Sequence, residues 1–590
     1  MNGGPGVPRV SAEDARAALE RLSTSPGFAG AERMRRFLQL VVEETIAGNA
    51  GSLKEYRIGV DVFDRGQTFD PRTDTIVRVE ARRLRKKLEE YYAGAGRHDP
   101  LIISVPPGAY LPSFVNRAVE DAAPQRESPE RAAAPRASIA VLPFLDLSEA
   151  GDQEYLCDGF SEELLNALSR IPALKVAART SAFRFKGKGD DVRRIGTELG
   201  VEHILEGSVR LFGSRMRVTV QLLRASDGCH VWSRQFDRLF AEALSLQSDV
   251  ATQVAASVGV ELGSGSGTAV SCSADAYRLY LEGRHDWRQF TPASTARAVE
   301  GFERSIRIDP SFAPAHAGLA DAYMQMSVFG MAAPRDLAEK ARTAANRALA
   351  LDPQSVEALT QLGAVSAYCD WDWASSEEHF RRALQIQPNY VDARWLMATV
   401  CLGPQHRLDE ALLEAREAAR QDPLSPLTQA MVGAVHNYRG DYDAALAALD
   451  AADAIAPGFS QTSLFRGFAN LARGRPDLAA VGQDYSPYRL YVQAVLGHTA
   501  AARAGIDLLR TRAGSPLVIA AGYAGLGEVD DSLEWLERAA DLKVPQLIWL
   551  DFQQPWGLLR GSRRFEDIRK RMHLPMRTEG SITGASCSAS

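Results

Sequence analysis

Prolines recur through the second half of the chain at a nearly fixed interval. The endings RSIRIDP, NRALALDP, RRALQIQP, EAARQDP and DAADAIAP place them at positions 310, 353, 388, 423 and 457, with spacings of 43, 35, 35 and 34. Twelve residues before four of these prolines stands an alanine: Ala298, Ala341, Ala411 and Ala445. Five residues before each stands a small residue: Ser305, Ala348, Ala383, Ala418 and Ala452. Proline stops a helix, because it lacks the backbone donor and clashes with the preceding turn. Small side chains at a fixed offset let a second helix cross closely. The pattern predicts antiparallel helix pairs, one pair per repeat, over residues 275–575. The spacing of 43 implies a longer first helix or loop, with MSVFGMAAP as the insert. DDSLEWLERAADLKVP makes a further unit ending at Pro545, with Ala540 in the same place. Residues 465–525 are too degenerate for the repeats to be counted.

In period, small residues and prolines this region resembles the tetratricopeptide (TPR) repeat. Phe302 and Phe380 fill the repeat's usual aromatic slot, while the tryptophan of its first helix is mostly missing. The resemblance implies a superhelix whose concave groove holds a protein or peptide, or else a plain scaffold. No histidine pair at i, i+4 marks a metal site here.

Composition bounds the rest. At 590 residues the chain has room for several domains, and 45% hydrophobic with 24% charged residues is ordinary globular usage. A net charge of −6 excludes a nucleic-acid-coating polycation, so any DNA contact must come from a local basic surface. No apolar run reaches the roughly 18 residues of a membrane span. The start, MNGGPGVPRVSAEDARAALE, lacks the layout of a secretion signal. Six scattered cysteines without a C-x-x-C pair argue against zinc or disulfide scaffolds and for a reducing, cytoplasmic setting. Two linker compositions, residues 116–137 and 262–274, and a polar tail, 576–590, divide the chain into blocks 11–115, 138–260 and 275–575.

In the first block, AERMRRFLQLVVEETI puts Met34, Phe37, Leu38, Val41 and Val42 on one helical face, with Gly48 as the stop. A second apolar segment, SLKEYRIGVDVF, follows. In TDTIVRVEARRLRKKLEEYY, residues Val77, Ala81, Leu84, Leu88 and Tyr91 form the core arc. Arg78, Arg82 and Arg85 share a neighbouring face that Arg83 and Lys86 extend, and Asp74 or Thr75 is the N-cap. HDPLIISVPPGAYLPSF reads as strand, tight turn and strand. Helix, helix, basic helix and hairpin make a winged-helix (α+β) pattern. Charge alone would equally suit a solvated helix face.

IVRVEARRLRKKL, followed by a hairpin with Tyr110, resembles the DNA-binding effector domain of OmpR-type response regulators over residues 30–115. The resemblance implies a recognition helix over 75–92 lying in the major groove. Arg78, Arg82, Arg83, Arg85, Lys86 and Lys87 are then the candidate DNA contacts, and Val79 faces a thymine methyl. The family's wing usually carries a basic residue after Gly-x-Gly-Tyr. Here Pro107-Gly108-Ala109-Tyr110-Leu111 lacks it, and no receiver domain precedes the block.

The middle block alternates element types. ASIAVLPF is a buried strand, DGFSEELLNALSRI a helix, LKVAAR a strand and DVRRIGTELG a helix. Gly213-Ser214 and Asp227-Gly228 turn between three further strands, and LSLQSDVATQVAASV closes the block as a helix. Asp158, Glu162 and Glu163 read as acids favoured by a helix N-terminus, Trp232 and Phe236 as core, and FRFKGKGDD as no phosphate loop. IAVLPF, CDGFSEELLNALSRI, GVEHILEGSVR and GCHVWSRQFD strongly resemble the TolB-like (FlgO-like) α/β domain. In bacteria that domain stands before TPR arrays and behind a winged helix or a class III adenylyl cyclase domain, and it offers no catalytic residue to carry over.

The expectation is a multidomain chain: winged helix, TolB-like α/β domain, all-α TPR superhelix. Its function is read as a cytoplasmic DNA-binding transcriptional regulator, not an enzyme, without cofactor or metal, whose rear domains bind a protein or peptide. An interaction scaffold without DNA binding is the alternative. A cyclase would need a βαββαβ core of about 180 residues, for which residues 1–115 are too short. Winged helices of this type often act in pairs, so a homodimer fits the resemblance. The DNA site, the input signal and the sign of regulation stay open.

Overall fold

The computed structural model describes residues 12–25, 28, 31–46, 55–63, 66, 69, 74, 76–97, 99–105, 112–116, 137–149, 151–171, 173–260, 272–479, 488–512 and 514–575. Nearly all of the linker reading 116–137, most of 262–274, the tail 576–590 and the wing tip 107–111 lie outside these residues, as do Gly48 and Thr75. The chain divides into two compact units, Met1–Ala133 and Ala134–Ser590.

In the first unit, helices α1 (Ala12–Thr24), α2 (Glu32–Ile46), α3 (Glu55–Phe63) and α4 (Ile76–Ala93) precede strands β1 (Leu101–Ser104) and β2 (Ser113–Asn116). The apolar stripe of α2 is buried through Phe37, Leu38, Val41 and Val42, and Met34 packs at its edge. Helix α1 joins the same core through Ala15, Ala18, Leu19 and Leu22. All five core-arc residues of α4 are buried: Val77, Ala81, Leu84, Leu88 and Tyr91. Asp74 starts α4 by accepting a hydrogen bond from the Ile76 N–H at 3.0 Å, relieving one of the orphan donors of the first turn. β1 and β2 pair antiparallel with Ile103 opposite Phe114, and Ile103 drops into the core.

The second unit begins with an α/β layer. Its sheet contains β3 (Ser138–Val141), β4 (Leu145–Asp146), β5 (Lys175–Val176), β6 (His203–Phe212), β7 (Arg215–Arg224) and β8 (His230–Leu239). The strand order is β5-β3-β6-β7-β8, with β4 beside β6. β3 runs parallel to β5 and β6, whereas β6, β7 and β8 form an antiparallel meander. The β6–β7 turn needs Gly213 at φ 57°, a conformation that a Cβ disfavours. Along β7, Met216, Val218, Val220 and Leu222 point inward with period two, while Arg215 and Arg217 face water. Helices α5 (Glu154–Ser169) and α8 (Ala243–Ser257) belong to the core on one face. Helices α6 (Arg179–Phe183) and α7 (Val192–Leu199) cover a smaller patch around Ile204 and Leu223.

Antiparallel helix pairs follow, beginning with α9 (Ala274–Arg288) and α10 (Pro292–Ile308), then α11 (Ala313–Val328) and Pro334–Leu351. Val356–Val365 with Trp373–Ile386, Val391–Leu396 with Leu408–Gln421, and Pro426–Arg439 with Tyr442–Ile455 continue the series. Every alanine and small residue singled out by the repeat spacing is fully buried at a helix crossing, as are Phe302 and Phe380. At one crossing the approach excludes any side chain, since a Cβ on Gly318 would sit 2.7 Å from the Phe302 ring. The 43-residue interval resolves into two long helices, α11 and Pro334–Leu351, joined by residues 329–333.

The hydrophobic core of the α/β layer runs without a break into that of the repeats, from Ile139 to Leu574. Gly159 of α5 lies against Leu281 of α9, where an added Cβ would come within 2.5 Å of a methyl group. Gln247 of α8 donates to the Tyr277 hydroxyl at 2.8 Å. A second seam joins α6 to a distant turn of the repeats: the Ser181 N–H donates to Asp422 at 3.0 Å, and Arg184 donates to the Ile455 carbonyl at 2.9 Å.

After Pro545 the chain folds back over its own repeats. The short 3₁₀ segment Pro545–Phe552 runs along the C-terminal ends of the first helices of successive pairs. Gln546 donates to the Val328 carbonyl, Trp549 to the Thr399 carbonyl at 3.1 Å, and Phe552 stacks on Tyr438 with ring centres 4.7 Å apart. Thr399 and Tyr368 belong to π-helical turns, Met397–Leu402 and Ser366–Asp370, whose widened geometry frees carbonyls for outside donors. Asp551 is buried there and accepts from Arg569 at 2.7 Å and from His406 at 2.9 Å. Burial alone would push its carboxyl up, but these bonds outweigh burial and hold it at about 2.

Candidate nucleic-acid interface

The geometry of α4 follows from its wheel. At 3.6 residues per turn, Arg78, Arg82, Lys86, Val79 and Arg83 span an arc of about 140°, almost diametrically opposite the buried arc of Val77, Ala81, Leu84, Leu88 and Tyr91. All five residues of the outer arc are exposed. Lys87 and Arg85 fall at the two borders between the arcs, and both are half-buried.

The six basic residues named from sequence therefore separate into two groups. Arg78 is exposed and reaches back to Glu55 of α3 at 2.9 Å. Arg83 pairs along its own helix with Glu80 at 2.7 Å. Arg82 makes no hydrogen bond or ion pair with any described residue. Lys86 is exposed one turn further on. Arg85, by contrast, donates from Nε to the Val105 carbonyl at 2.8 Å, tying α4 to the end of β1. The Lys87 ammonium lies 5.9 Å from the centre of the Phe28 ring. Arg85 and Lys87 thus fix the helix against its surroundings, and Arg78, Arg82, Arg83 and Lys86 present cations to water.

In the Arg78–Glu55 and Arg83–Glu80 pairs the guanidinium keeps 54% and 64% of its side-chain surface exposed, while the carboxylate is largely covered, at 18% and 11%. A row of guanidinium and ammonium groups beside one exposed valine is a surface suited to a polyanion with apolar features in its groove.

The acids of the middle block do something the sequence reading missed. Helix α5 begins at Glu154, so Glu162 and Glu163 lie in its third turn, away from the N-terminal end of the dipole. Both point instead at the repeats: Glu163 accepts from the Tyr280 hydroxyl at 2.8 Å and Glu162 from Arg284 at 2.7 Å. Asp158 is held by Lys186 at 2.6 Å. Phe236 is buried as expected, while Trp232 is only partly covered. Among the described residues no group of three His, Cys, Asp or Glu side chains could hold a metal ion, and no helix is long and apolar enough to cross a membrane.

No family model matches the chain. A putative adenylate cyclase of Rhizobium meliloti is 35% identical over 205 residues, which is 33% of this chain and 35% of that protein. The transcriptional regulator HilA of Salmonella typhimurium is 26% identical over 151 residues, 26% of this chain and 27% of that protein. The chain thus spans between about a quarter and a third of the length of these curated relatives. Among solved structures, YrrB, described as a TPR protein with an unusual peptide-binding site, aligns over 32% of this chain and 90% of its own. That alignment has 21% identity and a TM-score of 0.22. The chain is similar in part to a transcriptional regulator and has TPR proteins among its structural neighbours.

Proposed function

We propose that this chain is a transcriptional regulator that binds DNA through α4. On this reading residues 11–115 are a winged helix, α4 enters the major groove, and Arg78, Arg82, Arg83 and Lys86 meet phosphates and base edges. Arg85 and Lys87 set the angle of the helix. The observation that carries the reading is the opposition of the two arcs of α4, one wholly apolar and buried, the other basic and exposed, directly before an antiparallel hairpin. The partial similarity to HilA supports it. No catalytic role is part of the reading, and a cytoplasmic location is proposed with it.

Residues 138–260, read as a TolB-like domain, and the repeats form the receiving body, for which a protein or peptide partner is proposed. A peptide laid along the C-terminal ends of the repeats' first helices competes with the chain's own Pro545–Phe552 segment. Pairing of two copies on adjacent half-sites belongs to the same reading.

The test is binding of the full chain to duplex DNA, including the region upstream of its own gene, across a salt series. Specific retention that falls steeply with log salt, and is lost in Arg82→Ala/Lys86→Ala with the fold intact, is the expected result. Binding that is weak, sequence-blind and unchanged in that variant overturns the reading and leaves an interaction scaffold.

A further inference from the structure

A cavity of about 230 Å³ opens where the α/β layer meets the first repeat. Its wall comes from α5 (Tyr155, Asp158), α6 (Arg179) and α9 with its following turn (Leu281, His285, Arg288, Gln289). Three guanidinium groups converge on the single carboxylate of buried Glu162: Arg284 donates to Oε1 at 2.7 Å, while Arg179 Nε stands 3.2 Å from Oε2 and Arg288 contacts the same oxygen. Among the described residues Asp321, 3.3 Å from Arg284, is the other acid in ion-pair contact with these arginines, and the Asp158, Glu163, Asp392 and Asp422 carboxylates act on them at longer range. Burial pushes the Asp321 carboxyl up to about 7, against the opposing pull of Arg284. Asp158, the one acid in the cavity wall, shares the Lys186 ammonium at 2.6 Å with Glu154, also at 2.6 Å.

The donors are also unspent. A guanidinium has five N–H groups, yet among the described residues Arg179 and Arg288 form ion pairs with Glu162 alone, while the Arg179 guanidinium also stacks 3.9 Å from the centre of the Phe183 ring. The buried Arg179 Nε is misaligned for that contact and has no acceptor. His285 has no hydrogen-bond partner among the described residues, and only the Gln289 carbonyl oxygen is engaged, by Arg297. Unmet donors in a partly desolvated site are costly. Burial pulls both Arg179 and Arg288 down to about 10, with the Asp158 carboxylate opposing the shift.

We propose that this cavity is a binding site for a small multiply charged oxyanion, a phosphomonoester or a short dicarboxylate, gripped by Arg179 and Arg288 with His285 and Gln289 alongside. The volume sets the size class. It equals about eight water volumes and lies below the roughly 300–1,000 Å³ of sites for drug-sized ligands. Two arginines offer the forked donor pairs that phosphate and carboxylate oxygens accept bidentately. Because Arg179 belongs to the α/β layer and Arg288 to the repeats, the anion would bridge the two.

The test is calorimetric titration of the full chain with inorganic phosphate and, separately, malonate, against chloride at matched ionic strength. One saturable site per chain for either anion is expected; which of the two binds tells a phosphate ester from a dicarboxylate. Arg288→Gln should weaken binding about tenfold or more. His285→Leu, which leaves Glu162 and its three arginines untouched, should weaken it several-fold and keeps the test decisive if the arginine variant does not fold. Absence of saturable binding by both anions, or binding equal in wild type and His285→Leu, overturns the proposal.

Discussion

On the outer arc of α4 the arginines stand away from the core and reach toward water; at the joint between the α/β layer and the repeats they turn inward on one carboxylate. Arg78 and Arg83 keep more than half of their side-chain surface exposed, against 13% for Arg284. The same residue type serves opposite purposes in the two places. An exposed guanidinium costs the fold almost nothing and remains available to a partner. A buried one is tolerated only while its carboxylate is present, so it holds two elements together.

Removing the central acid should break the inner arrangement most severely. Glu162→Ala strands three largely buried guanidinium groups, and a loss of about 3–5 kcal/mol of unfolding free energy is expected in a denaturant titration. Asp551 makes a second inward site of the same kind. Asp551→Asn should cost about 2 kcal/mol by removing the charge that Arg569 grips through two nitrogens, leaving Glu566 at 2.8 Å as its remaining acid. Its pH signature has a definite sign. The folded carboxyl titrates at about 2 and the unfolded one near 3.8, so the stabilisation is complete above pH 4 and is lost as pH falls toward 2. It amounts to about 2 kcal/mol, and thermal unfolding of wild type and Asp551→Asn across that window measures it.

The outward arrangement should respond in the other way. Arg82→Ala is expected to leave stability within about 0.5 kcal/mol and to weaken DNA binding by about 1–3 kcal/mol. The smallest effect sharpens the division within α4 itself. Arg85→Ala removes the bond to the Val105 carbonyl and should cost about 1 kcal/mol of stability. Lys86→Ala should instead leave stability unchanged and shallow the salt slope of binding by about one unit.

What could be read ahead of the structure follows the same division. The outer arc of α4 is legible because its core arc lies within one helix: five apolar residues at helical spacing say which side is left over. The repeat crossings are legible for a similar reason, since Ala298, Ser305 and their counterparts recur at fixed offsets from a proline. Helix α1 has no counterpart in the sequence reading, although Ala15, Ala18, Leu19 and Leu22 carry the helical period. The inner cluster was misread because its logic is not local. Glu162 meets partners more than 110 residues away, beyond a Gly/Ser-rich stretch that reads as a separator. Local reasoning assigned it to a helix start, and α5 begins eight residues earlier. The return of Pro545–Phe552 over the repeats was equally hidden. PQLIWLDF has no period, and its acceptors on Val328 and Thr399 are main-chain carbonyls that no side-chain pattern announces.

One pair of measurements on two variants tests the contrast most directly: DNA affinity and unfolding free energy of the full chain carrying Arg82→Ala or Glu162→Ala. A crossed result is expected, with Arg82→Ala losing DNA binding at unchanged stability and Glu162→Ala losing several kcal/mol of stability. DNA binding unaffected by Arg82→Ala would contradict the claim that the outer face of α4 is the nucleic-acid interface.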